Sequence, residues 1–283
     1  MNSAHTRYRR LKSNGIVVVM GAMVVVCLIP LGSLLFTLVS NGIFAFNADF
    51  FTKVESAVGE RSGVIHAIVG SLLHMLMASV FAVPVGLAIG IFLARPTNTR
   101  LANTTRLLLD VMAGVPAIII GVFIYTVVVR PITGFSLLAG GLALALIMLP
   151  IFVRGTEQAI LGIPMSVDEA GLALGLPAYR VLLRIVLRAA IPAVMTGLFL
   201  ALARIGGEAA PLLMTSFGNR TWSSSPMDKT ASLPVLLFNY AKSGFEDQNR
   251  QAWGAAMVLV IIILAFRLLT RLYNRWQYGH GAA

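Results

Sequence analysis

Arg204 and Glu208 lie within an apolar stretch, Ala203-Arg204-Ile205-Gly206-Gly207-Glu208-Ala209-Ala210-Pro211-Leu212-Leu213. Holding an ion at bilayer depth costs about 2.5 kcal/mol or more on insertion scales, so such side chains turn toward a protein interior or a wet path. A guanidinium presents a planar fork of donors matched to a tetrahedral oxyanion, and a carboxylate beside it limits how tightly that anion is held. Their four-residue spacing puts both on one helical face, while Gly206, Gly207 and Pro211 weaken that helix and predict a bend. The chemistry expected is passage of an anion. The same two residues also suit a structural ion pair between helices.

Other reactive constellations are missing from the sequence. Cys27 is the single cysteine, in an apolar run, and His5, His66, His74 and His280 are scattered without acidic companions. Neither a disulfide frame nor a metal centre is expected, and the histidines read as packed or solvated. No Gly-Lys pair occurs, so the chain has no Walker A loop to cradle ATP phosphates and is expected to hold no cofactor of its own.

The elements that must position the charged pair follow from composition. Of 283 residues 58% are hydrophobic and 12% charged, with mean hydropathy +0.86, which demands a bilayer as solvent. The net charge of +11 then belongs to membrane loops, and nucleic acid is not expected as a partner. Uncharged runs cover 15–39, 67–94, 111–129, 131–153, 189–203 with an interrupted continuation to 217, and 251–266, giving six spans. The first run exceeds the apolar region of about 7 to 15 residues in a cleaved signal peptide, so it reads as retained.

With the N-terminus inside, fourteen of the 22 cations fall on inner segments, seven on outer ones, and Arg204 within a span; this bias places both termini in the cytoplasm. The chain then divides into a cytoplasmic tail 1–14, a first transmembrane helix 15–39, an extracytoplasmic loop 40–66, a five-span core 67–272 and a cytoplasmic tail 273–283. The core carries an inner loop 157–188 and an outer loop 216–250, the latter with a short surface helix over 233–240. Trp253 at one end of the last span, and Tyr273, Trp276 and Tyr278 at the other, suit an interfacial belt or simple packing.

Within the inner loop, Ser166-Val167-Asp168-Glu169 has capping-box spacing and predicts a helix that begins with Ser166 as its cap. Gly175 and Pro177 end it. Beyond Pro177, Arg180, Arg184 and Arg188 form a basic stripe beside Leu182, Leu183, Ile185 and Val186, which predicts a second helix lying on the inner bilayer surface.

The fuller spacing here is Asp168, then Glu169-Ala170-Gly171, three residues, Gly175, nine residues, and Ile185-Val186-Leu187. It resembles the cytoplasmic EAA loop of ATP-binding-cassette (ABC) importer permeases, with Gly171 where alanine is usual and Arg188 where proline is frequent. Ala203-Arg204-x-x-Gly207-Glu208-x-Ala210-Pro211-Leu212 is similar to the fifth-span motif of the phosphate-specific transport permeases, and Asp110 to Gly121 resembles a third-span stretch of theirs. The likeness runs from first span to last and points to the A-type subunit.

That resemblance implies an all-α integral membrane protein with the six-helix type I ABC importer permease fold and a cytoplasmic coupling helix. It implies import of inorganic phosphate across a bacterial inner membrane without catalysis by this chain. Its implied partners are a homologous C-type permease, two copies of a cytoplasmic ABC ATPase that binds the ATP, an extracytoplasmic phosphate-binding protein, and membrane lipid. A sister importer for sulfate, molybdate or phosphonate is the nearest alternative. An ion-coupled secondary carrier, a third reading, predicts an internal repeat with broken helices, and the six spans show no clear repeat.

Overall fold

Lipid offers no partner to backbone polar groups, so apolar runs of this length must be helical. The structure is a computed structural model describing residues 3–56, 62–95 and 99–279. The side chains of His5, Arg7, Arg10, Trp276 and Tyr278, and residues Arg61 and His280 entirely, lie outside the described residues. In chain order come α1 (Ser3–Gly42), a 3-10 turn (Ile43–Ala45), α2 (Ala48–Thr52), α3 (Ile65–Ala94), α4 (Arg100–Gly114) and α5 (Ala117–Ile124), which runs on as a π-helical stretch (Tyr125–Thr133). Then follow α6 (Leu137–Leu161), α7 (Met165–Ala173), α8 (Ala178–Arg180) continued by a π-helical stretch (Val181–Val186) into α9 (Leu187–Ile205), α10 (Ala210–Thr215), α11 (Leu233–Ala241) and α12 (Glu246–Gly279). Among the described residues, five helical segments are long and apolar enough to cross a membrane, and a sixth is reached when the one bent helix pair is counted as a single span.

The hub is α6, two thirds of whose apolar window is buried. It packs between α3 and α9, and small residues let the backbones close in, as membrane interfaces require. A Cβ on Gly86 would meet the Phe152 ring, one on Gly90 the Thr156 side chain, and one on Gly155 would stand 3.2 Å from the Cα of Gly197. Around these contacts Met75, Ala78, Ala82, Leu144, Met148, Phe152, Ala201, Ile205 and Leu212 form one apolar core. A second cluster, from Ala45, Phe50, Val64, Leu233, Leu236, Tyr240 and Ala255, builds a lobe over the end of the bundle opposite the 163–177 loop. By contrast, the apolar stretch of α1 is left uncovered by the rest of the chain.

Four sequence expectations are corrected. The third span is not a straight helix over 111–129: α4 turns through 101° into the segment Ala117–Ile132. Pro116 cannot donate to the helical ladder and holds Val115 extended, at φ −71° and ψ 128°. The fourth span begins at Leu137, capped by Ser136 Oγ, which accepts from the Ala139 N–H at 3.2 Å, and it runs past 157 to Leu161. Arg180, Arg184 and Arg188 do not lie on a separate surface helix, because Ala178–Ile205 is continuous and they occupy its first turns. Finally, Ser166 is no cap: Pro164 takes that position and its carbonyl accepts from the Val167 N–H at 3.0 Å, which draws Ser166 into helical geometry.

The crossing at Gly155 and Gly197 sets backbone against backbone, so neither side has a flexible side chain that could yield. Gly197→Leu is expected to cost about 1–3 kcal/mol by overpacking, read as a lowered thermal unfolding midpoint of the detergent-solubilised protein.

Candidate functional site

α9 stops at Ile205. The next four residues form a break closed by Gly206 N–H to Leu202 O (2.9 Å) and Glu208 N–H to Ile205 O (3.1 Å), after which α10 begins with Pro211 in its first turn. The expected bend at Gly206, Gly207 and Pro211 is therefore a complete interruption. Arg204 and Glu208 still meet, the Nη1 of one donating to the Oε1 of the other. They do so across the break rather than along one helical face, because Glu208 lies beyond the helix end. Their environments differ: the Glu208 side chain is 13% exposed and that of Arg204 56%. Such a guanidinium has one side tied to a carboxylate and another side open.

The break has a firm seat. A Cβ at Gly121 on α5 would stand 2.7 Å from the Pro211 Cα, so α5 and α10 touch backbone to backbone. The third-span and fifth-span stretches singled out in the sequence thus meet three residues from Glu208.

In the 163–177 loop, α7 lies against the start of the fifth span. A Cβ on Gly171 would fall 2.9 Å from both Val181 methyls and 3.3 Å from Ile185 Cδ1, which accounts for glycine where alanine is usual. Gly175 has φ +76°, the left-handed turn the sequence assigns to it. Met165, Leu172 and Leu174 stand exposed near Glu169 and Ala170, with Asp168 half-buried. An apolar surface edged by acidic side chains is suited to receive another protein.

Sequence reading missed an ionic cluster where α4 meets α6. Glu157, 4% exposed at its side chain, accepts from Arg106 Nε at 2.9 Å and from Arg154 Nη1 at 3.0 Å. Arg106 Nη2 also donates to Leu93 O at 2.8 Å, and Arg154 Nη2 to Asp110 Oδ1 at 2.6 Å. The pairs that join α4 to α6, Arg106–Glu157 and Asp110–Arg154, are 51 and 44 residues apart, beyond local pattern; the one sequence signal was an acid and a base three apart near a span end.

A second polar cluster lies in the lobe, where a cavity of about 580 Å³ is lined among others by Glu55, His66, Arg220, Lys229, Ser232 and Tyr240. Glu55 meets Arg220 at 3.1 Å. Burial holds the Glu55 carboxyl above its ordinary pKa, with Arg220 and then Tyr240 pulling it partly back. Burial and then the Glu55 charge push the Tyr240 phenol up. His66 and His74 are both buried. The Nδ1 of His74 lies 2.7 Å from the Gly70 carbonyl, which can only accept, so that nitrogen carries the proton. Among the described residues no three His, Cys, Asp or Glu side chains gather to hold a metal.

Residues 86–278 match the family described as binding-protein-dependent transport system inner membrane component. The chain is 39% identical over 241 residues to the phosphate transport system permease protein PstA of Haemophilus influenzae, covering 85% of this chain and 86% of that one. It is 34% identical over 274 residues to the protein of that name from Pasteurella multocida, covering 96% and 98%. To the probable phosphate transport system permease protein PstA of Methanocaldococcus jannaschii it is 30% identical, covering 92% and 93%. Among solved structures, it is similar to a chain of a bacterial alginate ABC transporter in complex with an alginate pentasaccharide-bound periplasmic protein, with TM-score 0.66, 13% identity, and 95% and 96% of the two chains covered. A chain of the inward-facing MetNI methionine ABC transporter gives TM-score 0.63, 20% identity, and 75% and 94% covered. These two likenesses establish the fold.

The raised Glu55 pKa has a sign. A carboxyl that folding makes harder to ionise stabilises the fold fully below its unfolded pKa, about 4.3, and loses that contribution as pH rises through the folded value. The thermal midpoint of the protein is expected to fall as pH rises above the ordinary carboxylate range, and Glu55→Gln to flatten that dependence.

Proposed function

The chain belongs to the family of binding-protein-dependent transport system inner membrane components, and we propose that it is the A-type permease subunit of an ATP-driven importer carrying inorganic phosphate into the cell. It is a multi-pass inner membrane protein. The observation that carries the reading is Arg204: a cation beside a break in the fifth span, balanced by Glu208 and open on its other side. A phosphate reaching that open side finds a bidentate donor fork already oriented. Glu208 competes for the same guanidinium, so anion and carboxylate exchange places and the anion is not trapped. A path must release its cargo as readily as it accepts it.

In this reading both termini are cytoplasmic, supported by the bias of fourteen in 22 cations. The 163–177 loop then faces the cytoplasm, where Asp168, Glu169, Ala170, Gly171 and Gly175 with the apolar tips of α7 engage one of two copies of an ABC ATPase. That ATPase binds the ATP, and this chain supplies no cofactor. A homologous C-type permease faces the open side of Arg204 across the anion path and covers part of α1, lipid covers the remainder, and an extracytoplasmic phosphate-binding protein delivers its anion at the lobe. The uncovered apolar length of α1 supports such a neighbour.

Proteoliposomes carrying the full complex, with ATP inside and binding protein outside, are expected to accumulate radiolabelled phosphate. Loss of the charged donor in Arg204→Ala removes about 1.5–3 kcal/mol of anion binding, a fall in uptake of roughly ten- to hundredfold. Glu169→Lys is expected to abolish ATP-linked uptake by placing a cation on the docking face. Uptake unaffected by both changes together would overturn the assignment.

A further inference from the structure

The two halves of the Arg204–Glu208 pair are mounted on different parts of the molecule. Arg204 ends a continuous helix that starts at Ala178 and whose first turns press on α7 at Gly171. Glu208 precedes α10, and α10 rests on α5 through the Gly121–Pro211 contact. α5 is the far arm of the bent pair whose near arm is α4. Asp110 and Arg106 on α4 are bound to Arg154 and Glu157 on α6, and α6 is the most buried helix of the bundle.

We propose that the Arg106–Glu157–Arg154–Asp110 cluster is a fixed joint that anchors α4 and α5 to α6, so that movement of the coupling loop displaces α9 against them and parts Arg204 from Glu208. This rests on the transport reading above. Its four residues are positioning residues and do not touch the anion. Without the joint α5 and α10 drift with α9, the pair stays closed, and motion at the loop reaches no anion. The chemistry suits that task. Glu157 is buried with a guanidinium on each carboxylate oxygen, and a buried charge held from two sides yields little, because losing one partner leaves it uncompensated away from water. A second tie runs in parallel, since Arg106 also grips the last turn of α3 at Leu93 O. Apolar packing of α4 is confined to Ala102 and Leu109, which lie against Leu93 and Val153, while Leu101, Leu107, Leu108 and Val111 point outward, so the ionic ties add to a narrow apolar seam.

The test uses the assembled importer in lipid nanodiscs and proteoliposomes, in a Cys27→Ser background with spin labels at Leu200→Cys on α9 and Ile119→Cys on α5, both exposed. In the parent complex the distance between labels is expected to change between nucleotide-free and ATP-trapped states. In Glu157→Gln that change is expected to vanish, with ATP hydrolysis continuing and phosphate moved per ATP falling at least tenfold. Asp110→Asn, at the exposed edge of the joint, is expected to show a partial loss of both while assembling normally. An unchanged distance response and an unchanged phosphate-to-ATP ratio in both variants would overturn the proposal. So would variants that assemble poorly but whose surviving complexes couple fully, since the cluster would then be a structural tie alone. If the parent complex hydrolyses ATP without importing phosphate, the transport reading fails, and the distance change, present in the parent and lost in Glu157→Gln, still upholds the joint.

Discussion

A carboxylate buried at the end of a membrane helix needs other side chains to take the place of water. Glu157 meets that condition through Arg106 and Arg154, and much of the architecture follows. Because Glu157 and Arg154 are neutralised, α6 continues past them to Leu161 without unravelling. Because their partners sit on α4, that amphipathic helix is held against the bundle and the chain must bend at Pro116 to cross as α5. Because α5 crosses there, Gly121 meets Pro211 and fixes the segment bearing Glu208. One buried acid thus sets the position of another on a different span.

The parts of this arrangement that the sequence revealed are those governed by near neighbours. Gly175 turns left-handed because Pro177 follows a short helix, and a helix forms over 233–241 much where turn-rich residues end, though it is built into the lobe rather than laid on the surface. Arg204 and Glu208 are close whether the chain between them is helical or broken, so their pairing survived an error about the backbone. Five of the six apolar runs form single helices long enough to cross a membrane, and the remaining one lies in the bent pair of α4 and α5, a sixth span when its two arms are counted together.

What was not legible depended on distant partners. Counting uncharged residues ends the fourth span before Arg154, yet that arginine is neutralised by Asp110, 44 residues earlier. The same rule starts the third span at Val111, where α4 is already nearing its end. Ser166 and Glu169 have the spacing of a cap, but Pro164 starts the helix ahead of them, and proline at that position outweighs a side-chain hydrogen bond. Gly171 looked like a departure from pattern; only the Val181 methyls beneath it show why a side chain has no room there.

The glycine-on-glycine crossing of α6 and α9 bears on force as well as on stability. With no side chain interposed, the contact between Gly155 and Gly197 is the natural fulcrum for tilting α9. Val181, where α7 presses, lies roughly 24 Å from that fulcrum along the helix, and Arg204 roughly 10 Å on the other side, at about 1.5 Å per residue. On the proposed transport reading the long arm belongs to the loop and the short arm to the guanidinium, so a tilt would trade amplitude for thrust: small strokes at Arg204, with more than twice the push.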